Sequence, residues 1–535
     1  MKYILFLFLI LVYTLNSQPT INNIYINNGD VFDSTKKEWF WGAKFLNSIH
    51  ATTKIYIIED QLLFKEEDYL DEELLYETER NLRNLGIFTD VSISLDSVGY
   101  NAFDVIINTQ DRWSTSPVIL FGHDGDETTY GGKISEKNFL GHAIDIELEY
   151  LNRSENEIGN QGRAYLNYPK MFRSPLDLLL QVQSNRFKTE QYYQFQKPYQ
   201  DLNSTTSYGL FITNNFGKSF LYNQENNLTI KSNVREKIVK AFYSRAWRKL
   251  DRVFISSSLE FDDSYRGKDS LYRAFDNSGK FLLSFSSISE EYYPTSKLNS
   301  YFDEDLPVGG YGEAVLGKTF KLNDFGTEMY IMGGRGEKSY LWNNSYLYAM
   351  IMGGSGYSSE LRKFKHTYEE FLLLGFHRFN DDILFSLRFK QQTAWNLGPE
   401  DRQLILDSDS GIRGISANNF SGDNRIISNF EFRFFPEWKF WIFNLSGAAF
   451  FDVGTVWDRN QGIENAKFQK TAGIGFRIHN QKISGPSGLF RIDFAFDFNK
   501  RQFAGIIFTS DQLFSIFKKH EYRIPEIYGL EYDDE

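Results

Sequence analysis

The 535-residue sequence contains no cysteine. A disulfide framework, a thiolate zinc site and a cysteine nucleophile are all excluded. A lipoprotein is excluded too, because its anchor needs a cysteine behind the leader. Basic residues do not prevail: Lys and Arg number 58 against 70 Asp and Glu, a net charge of −12. The basic stripe of a nucleic-acid binder is therefore missing. Beyond the first 17 residues, nothing approaches the 18 consecutive apolar residues of a membrane-spanning helix. Catalytic signatures are lacking as well. The seven histidines show no HExxH and no metal-ligand spacing. The stretch GGRGEKS (Gly333 to Ser339) fails as a phosphate loop, because Glu337 stands where the glycine before Lys338 should be; it reads as a glycine-rich strand and turn. No GxSxG elbow occurs. The expectation is a protein that is not an enzyme, with no metal or cofactor.

What is present is aromatic. Phe numbers 50 and Tyr 32, aromatics reach 17%, and mean hydropathy is nevertheless −0.42. A membrane β-barrel combines these properties, because each strand alternates lipid-facing apolar residues with lumen-facing polar ones. The sequence carries that alternation. In LFRIDFAFDFN, Phe490, Ile492, Phe494, Phe496 and Phe498 take one face, while Arg491, Asp493, Ala495, Asp497 and Asn499 take the other. TAGIGFRIH and DILFSLRFK repeat the pattern. In water, such outward faces of Phe and Ile would promote aggregation.

Four segments follow. Residues 1–17 read as a secretory signal peptide: Lys2 supplies the positive start, Tyr3 to Leu15 the apolar stretch, and Ser17 the cut. An exported chain without helical spans can be integral only as a closed barrel. Residues 18–111 read as a small α+β module. Its clearest helix is YLDEELLYETERNLRNLGIF, with Asp71 as cap, Leu74, Thr78, Leu82 and Leu85 on one face, and Gly86 as the stop. Ile21 to Ile26, Val91 to Leu95 and Phe103 to Thr109 are its strands, and EWFWGAKFL is a second helix. Residues 112–510 read as an antiparallel barrel. About 400 residues at about 25 per strand and connection predict about sixteen strands. Residues 511–535 read as a polar, solvated tail.

One loop stands out. GIRGISANNFSGD sets Arg413 between Gly411 and Gly414, ahead of a strand from Arg425 to Phe435. By parity, Glu431 projects into the lumen from that strand and Asp452 from the next, FNLSGAAFFDVGTVW. Flanking glycines allow a sharp approach of the backbone to the wall. A partly buried guanidinium needs carboxylate partners, which its planar fork suits. From the residues alone two readings stand: a solvated arginine on an extracellular loop, or a clamp inside the barrel.

GIRGISANNFSGD followed by NFEFRFF and then FFDVGTVW resembles the paired motifs of the BamA/TamA-like outer-membrane β-barrel assembly superfamily, the bacterial surface antigen family. Phe450, Asp452 and Gly454 match its F-x-D-x-G motif, and ISEKNFLGHAIDIELEY resembles its early-barrel NFLG segment. ETERNLRNLGIFTDVSI and VIINTQDRW resemble a single POTRA domain. The resemblance implies that the loop enters the barrel and that Arg413 meets the wall near Asp452 and Glu431. It implies a protein of the bacterial outer membrane with its POTRA-like domain in the periplasm. The expected function is assembly, insertion or translocation of other proteins. Alternatives are a dedicated two-partner-secretion-like translocator for one client, or a passive porin or receptor barrel. Outer-membrane lipids, unfolded outer-membrane or secreted clients, and periplasmic chaperones or accessory lipoproteins are the implied partners; nucleic acid is not among them. The chain departs from the family pattern in three places: Ile415 replaces the usual aromatic after Arg-Gly, only one POTRA-like module is present, and residues follow the last strand.

Overall fold

The computed structural model describes residues 18–528, except for 33–41, 397–403, 416–419, 481–488 and shorter internal gaps. The expected signal peptide and the acidic end of the tail lie outside the described residues. The chain divides into two compact units.

The first unit holds a three-stranded sheet of β1 (Thr20–Gly29), β2 (Phe88–Gly99) and β3 (Ala102–Asp111), in the order β1-β3-β2. Strand β1 runs parallel to β3, and β2 antiparallel to it. The helix Glu72–Asn84 starts as its composition dictates: the Asp71 carboxylate accepts from the Glu73 backbone N–H at 3.0 Å. It stops at Gly86, which adopts the left-handed φ of +68°. Its inner face is Leu75, Thr78 and Leu82, with Leu74 and Leu85 only partly buried. These pack against Ile21, Ile58, Phe88, Val105 and Ile107. A further helix, Ala43–Ile49, covers the second half of EWFWGAKFL; the first half lies outside the described residues. The NFLG segment belongs to this unit. Asn138 Nδ2 donates to Thr53 Oγ1 at 2.8 Å, and the Lys54 N–H donates to the Gly141 carbonyl at 2.9 Å. Gly141 has φ +78°, and a Cβ there would stand 2.3 Å from the Thr52 carbonyl oxygen, so only glycine fits.

The second unit is the barrel. Its first half comprises β4 (Thr115–Asp124), β5 (Glu127–Glu136), β6 (Asp145–Arg153), β7 (Gly159–Tyr168), β8 (Asp177–Asn185), β9 (Lys188–Lys197), β10 (Thr206–Asn223), β11 (Leu228–Trp247), β12 (Arg252–Arg266) and β13 (Ser278–Thr295). Then come β14 (Glu304–Lys321), β15 (Met329–Trp342), β16 (Ser345–Ser358), β17 (Lys363–Arg378) and β18 (Ile383–Trp395). The next loop carries a two-residue pair, β19 (Leu404–Ile405) with β20 (Ser421–Gly422). The wall resumes with β21 (Asn424–Phe434), the short β22 (Lys439–Phe440), β23 (Phe443–Trp457), β24 (Gln469–Asn480), β25 (Leu489–Asp497) and β26 (Gln502–Thr509). Leaving aside β22, twenty strands among the described residues follow one another around a closed barrel, which β26 completes by pairing with β4.

Twenty strands correct the predicted sixteen. The repeat is shorter than the assumed 25 residues because several turns are tight: two residues part β15 from β16, and four part β17 from β18. Alternation tells which way a side chain faces, not how short its turns are.

The facing itself follows the pleat. On β12, Ser256, Ser258, Asp262, Ser264 and Arg266 are buried, while Ile255, Leu259, Phe261 and Tyr265 are exposed. On β24, Ile474 and Phe476 are each 55% exposed. The outer surface is apolar and the inner one polar, as a wall between lipid and lumen requires. Among the described residues, no helix is long and apolar enough to cross a membrane. GGRGEKS lies within β15. The tail departs from the solvated expectation: Phe514, His520 and Tyr528 are buried.

Candidate functional site

The loop between β18 and β21 folds on itself before it meets the wall. Asp407 and Ser410 bind each other reciprocally: the Asp407 N–H donates to Ser410 Oγ and the Ser410 N–H to Asp407 Oδ1, both at 2.8 Å. The Ile412 N–H donates to the Asp407 carbonyl at 3.0 Å, and the Ser408 N–H to the Ile415 carbonyl at 3.0 Å. This turn needs left-handed backbone at Gly411 (φ +119°) and Gly414 (φ +85°). It also needs their missing side chains. A Cβ at Gly414 would lie 2.6 Å from the Ala504 Cβ, and one at Gly411 would lie 2.9 Å from Arg388 Nη2. Leu406, Ile412, Ile415 and Ile427 form a closed apolar cluster beside the turn. Ile415, where the family pattern has an aromatic, thus fills an aliphatic pocket.

Arg413 leaves this turn with 1% of its surface exposed. Its Nε donates to Asp452 Oδ2 at 2.7 Å and its Nη2 to Asp452 Oδ1 at 2.8 Å, the two-pronged geometry of a guanidinium on a carboxylate. Its Nη1 reaches Glu431 Oε2 at 3.0 Å and Asp493 Oδ2 at 3.3 Å. The Phe450 ring lies beneath it, with the guanidinium carbon 3.5 Å from the ring centroid. Burial on its own would lower the Arg413 pKa. The charge of Asp452 and its hydrogen bonds, joined by Glu431 and Asp493, outweigh burial and raise it, so the group stays charged.

The structure brings Arg413, Glu431 and Asp452 together, with Gly411 and Gly414 bracketing the arginine. Gly454 stands in the wall behind the loop, where a Cβ would meet the Ile426 carbonyl at 2.9 Å and Ile412 at 3.0 Å. Register explains the convergence. Asn429 pairs with Asp452 and Glu431 with Phe450 across β21 and β23, so the two carboxylates sit diagonally on one inner face.

The cluster is larger than the one legible in the sequence. Asp493 on β25 binds Arg477 Nη1 at 2.6 Å and lies 3.3 Å from Arg491 Nε. Arg433 Nε donates to Glu431 Oε1 at 2.8 Å. Asn429 Nδ2 donates to the Gly411 carbonyl at 2.6 Å and to Asp452 Oδ1 at 2.8 Å, tying loop to wall. Arg388 Nη2 donates to the Ser410 carbonyl at 2.7 Å. Alternation already puts Asp493 on the polar face of its strand, but no sequence signal says which strands a loop touches once it enters the lumen. The three carboxylates converge on a guanidinium. Among the described residues, no group of three or more His, Asp or Glu is placed to hold a metal ion. Chemically, this arrangement can hold a loop against the wall.

Residues 381–512, from just before β18 to just past β26, match the Omp85 superfamily domain. The chain carries an Omp85 domain. The matched span contains every member of the arginine cluster described above. No curated protein matches the chain. Among solved structures, it is similar to CdiB from Acinetobacter baumannii (13% identity, 92% of this chain and 73% of that one, TM-score 0.45). It is also similar to BamA from Haemophilus ducreyi lacking POTRA domains 1–3 (12% identity, 91% and 84%, TM-score 0.38). A third is the FrpB iron transporter from Neisseria meningitidis (9% identity, 81% and 85%, TM-score 0.41). The Omp85 barrel fold is consistent with an outer-membrane location.

Proposed function

We propose that this protein inserts or translocates other polypeptides at the bacterial outer membrane, with residues 18–111 acting as a POTRA-like module in the periplasm. The observation that carries this reading is the Omp85 match over residues 381–512, the span that contains the Arg413 cluster. A physical route supports it. Among the described residues the closing seam is narrow: β26 and β4 pair through Gly505–Asp124, Ile506–His123 and Ile507–Gly122, three pairs, whereas β25 and β26 share seven. A seam with few hydrogen bonds opens at low cost, and the freed edges demand partners in lipid, which a client strand can supply. Strand β2 is an edge of the N-terminal sheet and offers a place for strand addition by an extended client. Neither step needs a cofactor, a nucleotide or catalysis. Lipids of the outer membrane, unfolded clients and periplasmic chaperones or accessory lipoproteins are the partners of this reading.

A second reading is a translocator dedicated to one client. Depletion of the protein, with quantification of every other outer-membrane and secreted protein, separates the two. Broad loss of barrel proteins is the result for a general factor, and loss of one protein for a dedicated one. An unchanged protein complement, combined with reduced uptake of small solutes, would instead mark a passive channel and overturn the proposal.

A further inference from the structure

The segment after β26 does not stay beside it. Its described residues, 513–515, 518 and 520–528, first touch β21, where Arg433 Nη2 donates to the Phe514 carbonyl at 3.2 Å. They end on β12 to β16. Around the ring of twenty strands, β14 lies nine places from β26, close to the opposite side. The tail therefore crosses the lumen.

The far wall receives it in three built pockets. His520, 1% exposed, lies with Nδ1 3.0 Å from Glu337 Oε2 and Nε2 2.8 Å from Ser339 Oγ, and its ring stacks on Tyr348 at 5.5 Å. The Tyr522 hydroxyl donates to Ser256 Oγ at 2.9 Å, and its ring packs between Phe254 and Tyr199 at 4.9 and 5.0 Å. The Tyr528 hydroxyl donates to Glu313, and its ring joins an apolar cluster with Leu282, Val315, Met329 and Ile331. Between these, Ser258 Oγ donates to the Pro525 carbonyl at 3.0 Å. The wall is shaped for the tail. A Cβ at Gly354 would stand 2.5 Å from the Tyr528 carbonyl oxygen, and one at Gly333 would stand 2.9 Å from its ring. The glycine-rich stretch that fails as a phosphate loop thus has a use: Gly333 is floor for Tyr528, and Glu337 is partner for His520.

We propose that the inner wall from β12 to β16 is a binding track for an extended polypeptide, and that the C-terminal tail occupies it in cis as a plug. The ligand class is an extended chain presenting histidine and tyrosine side chains at the spacing of residues 520, 522 and 528. A lumen closed in this way does not pass small solutes until the tail leaves the track. The proposal does not rest on the insertion or translocation reading, since a plug can close a barrel of any function.

Two measurements test it. The first is planar-bilayer conductance of the full chain, of a chain lacking residues 511–535, and of the triple variant His520→Ala, Tyr522→Ala, Tyr528→Ala, each accepted only if it runs as a folded barrel on unboiled gels. Full-length protein is expected to show low conductance, and both variants a several-fold rise. Excess synthetic peptide of residues 511–535 is expected to close the truncated pore again. The second uses the absence of native cysteine: Ser258→Cys with Pro525→Cys is expected to form an intramolecular disulfide or a short bis-maleimide cross-link in intact membranes. Conductance unchanged by truncation and by the triple variant overturns the plug, whether or not the cross-link forms. Failure of the cross-link in protein of full-length sequence overturns the track.

Discussion

Arg413 and Asp452 are 39 positions apart in the chain, yet they meet through two parallel hydrogen bonds of 2.7 and 2.8 Å inside the barrel. This pair ties the loop between β18 and β21 to the inner wall. Both charges are almost wholly buried, so each depends on the other. Arg413→Ala should cost about 3–5 kcal/mol, the usual effect of breaking a buried ion pair from one side. The temperature at which the folded-barrel band disappears from unboiled gels should fall accordingly. Arg413→Lys should rescue little, because an ammonium cannot reproduce the two-pronged contact. An unchanged transition temperature in Arg413→Ala would contradict the clamp.

Asp493 serves Arg413, Arg477 and Arg491 together. Asp493→Asn should therefore destabilise the barrel, and combining it with Arg477→Gln should cost less than the sum of the two single changes. A coupling of about 1–3 kcal/mol is expected for neighbours in one charged network. Strict additivity in a double-mutant cycle would show that the two residues act separately.

Gly414→Ala tests the turn rather than the charges. The backbone has φ +85°, and the added methyl would press on Ala504. A loss of about 1–3 kcal/mol is expected from strain and overpacking combined. Protease digestion of folded protein should then cut within residues 396–423 faster than in the parent chain. Equal cutting rates would mean that the loop does not depend on this turn.

The lipid-facing assignment has its own test. Ile474 lies near the middle of β24 and points outward, 55% exposed. Ile474→Arg should cost about 2–4 kcal/mol near the bilayer midplane and lower the amount of folded barrel in the membrane, whereas Ile474→Leu should be nearly neutral. Equal membrane levels of the two variants would contradict the assignment.

Much of this was legible in the order of residues. Parity alone places Glu431 and Asp452 on the inner face and Ile474 and Phe476 on the outer one, because a strand turns successive side chains to opposite sides. The helix from Glu72 is announced by Asp71 and closed by Gly86. Strand number was not legible, since alternation persists through any count while turn length sets the repeat. Asp493 and Arg477 were visible as inward residues but not as partners of Arg413; their meeting depends on how far a loop descends into the lumen. The tail shows the same limit from the other side. Its polar residues suit water, and they equally suit a lumen lined by Glu313, Glu337 and Ser256.

The most direct measurement is reconstitution. Purified protein in liposomes is offered, in unfolded form, the polypeptide that its depletion removes from the cell, and the rate at which that client becomes inserted or protected inside the vesicle is followed. The account predicts a rate well above that of protein-free liposomes, and a lower one for Arg413→Ala. A client that inserts or crosses no faster with the protein than without it would contradict the account.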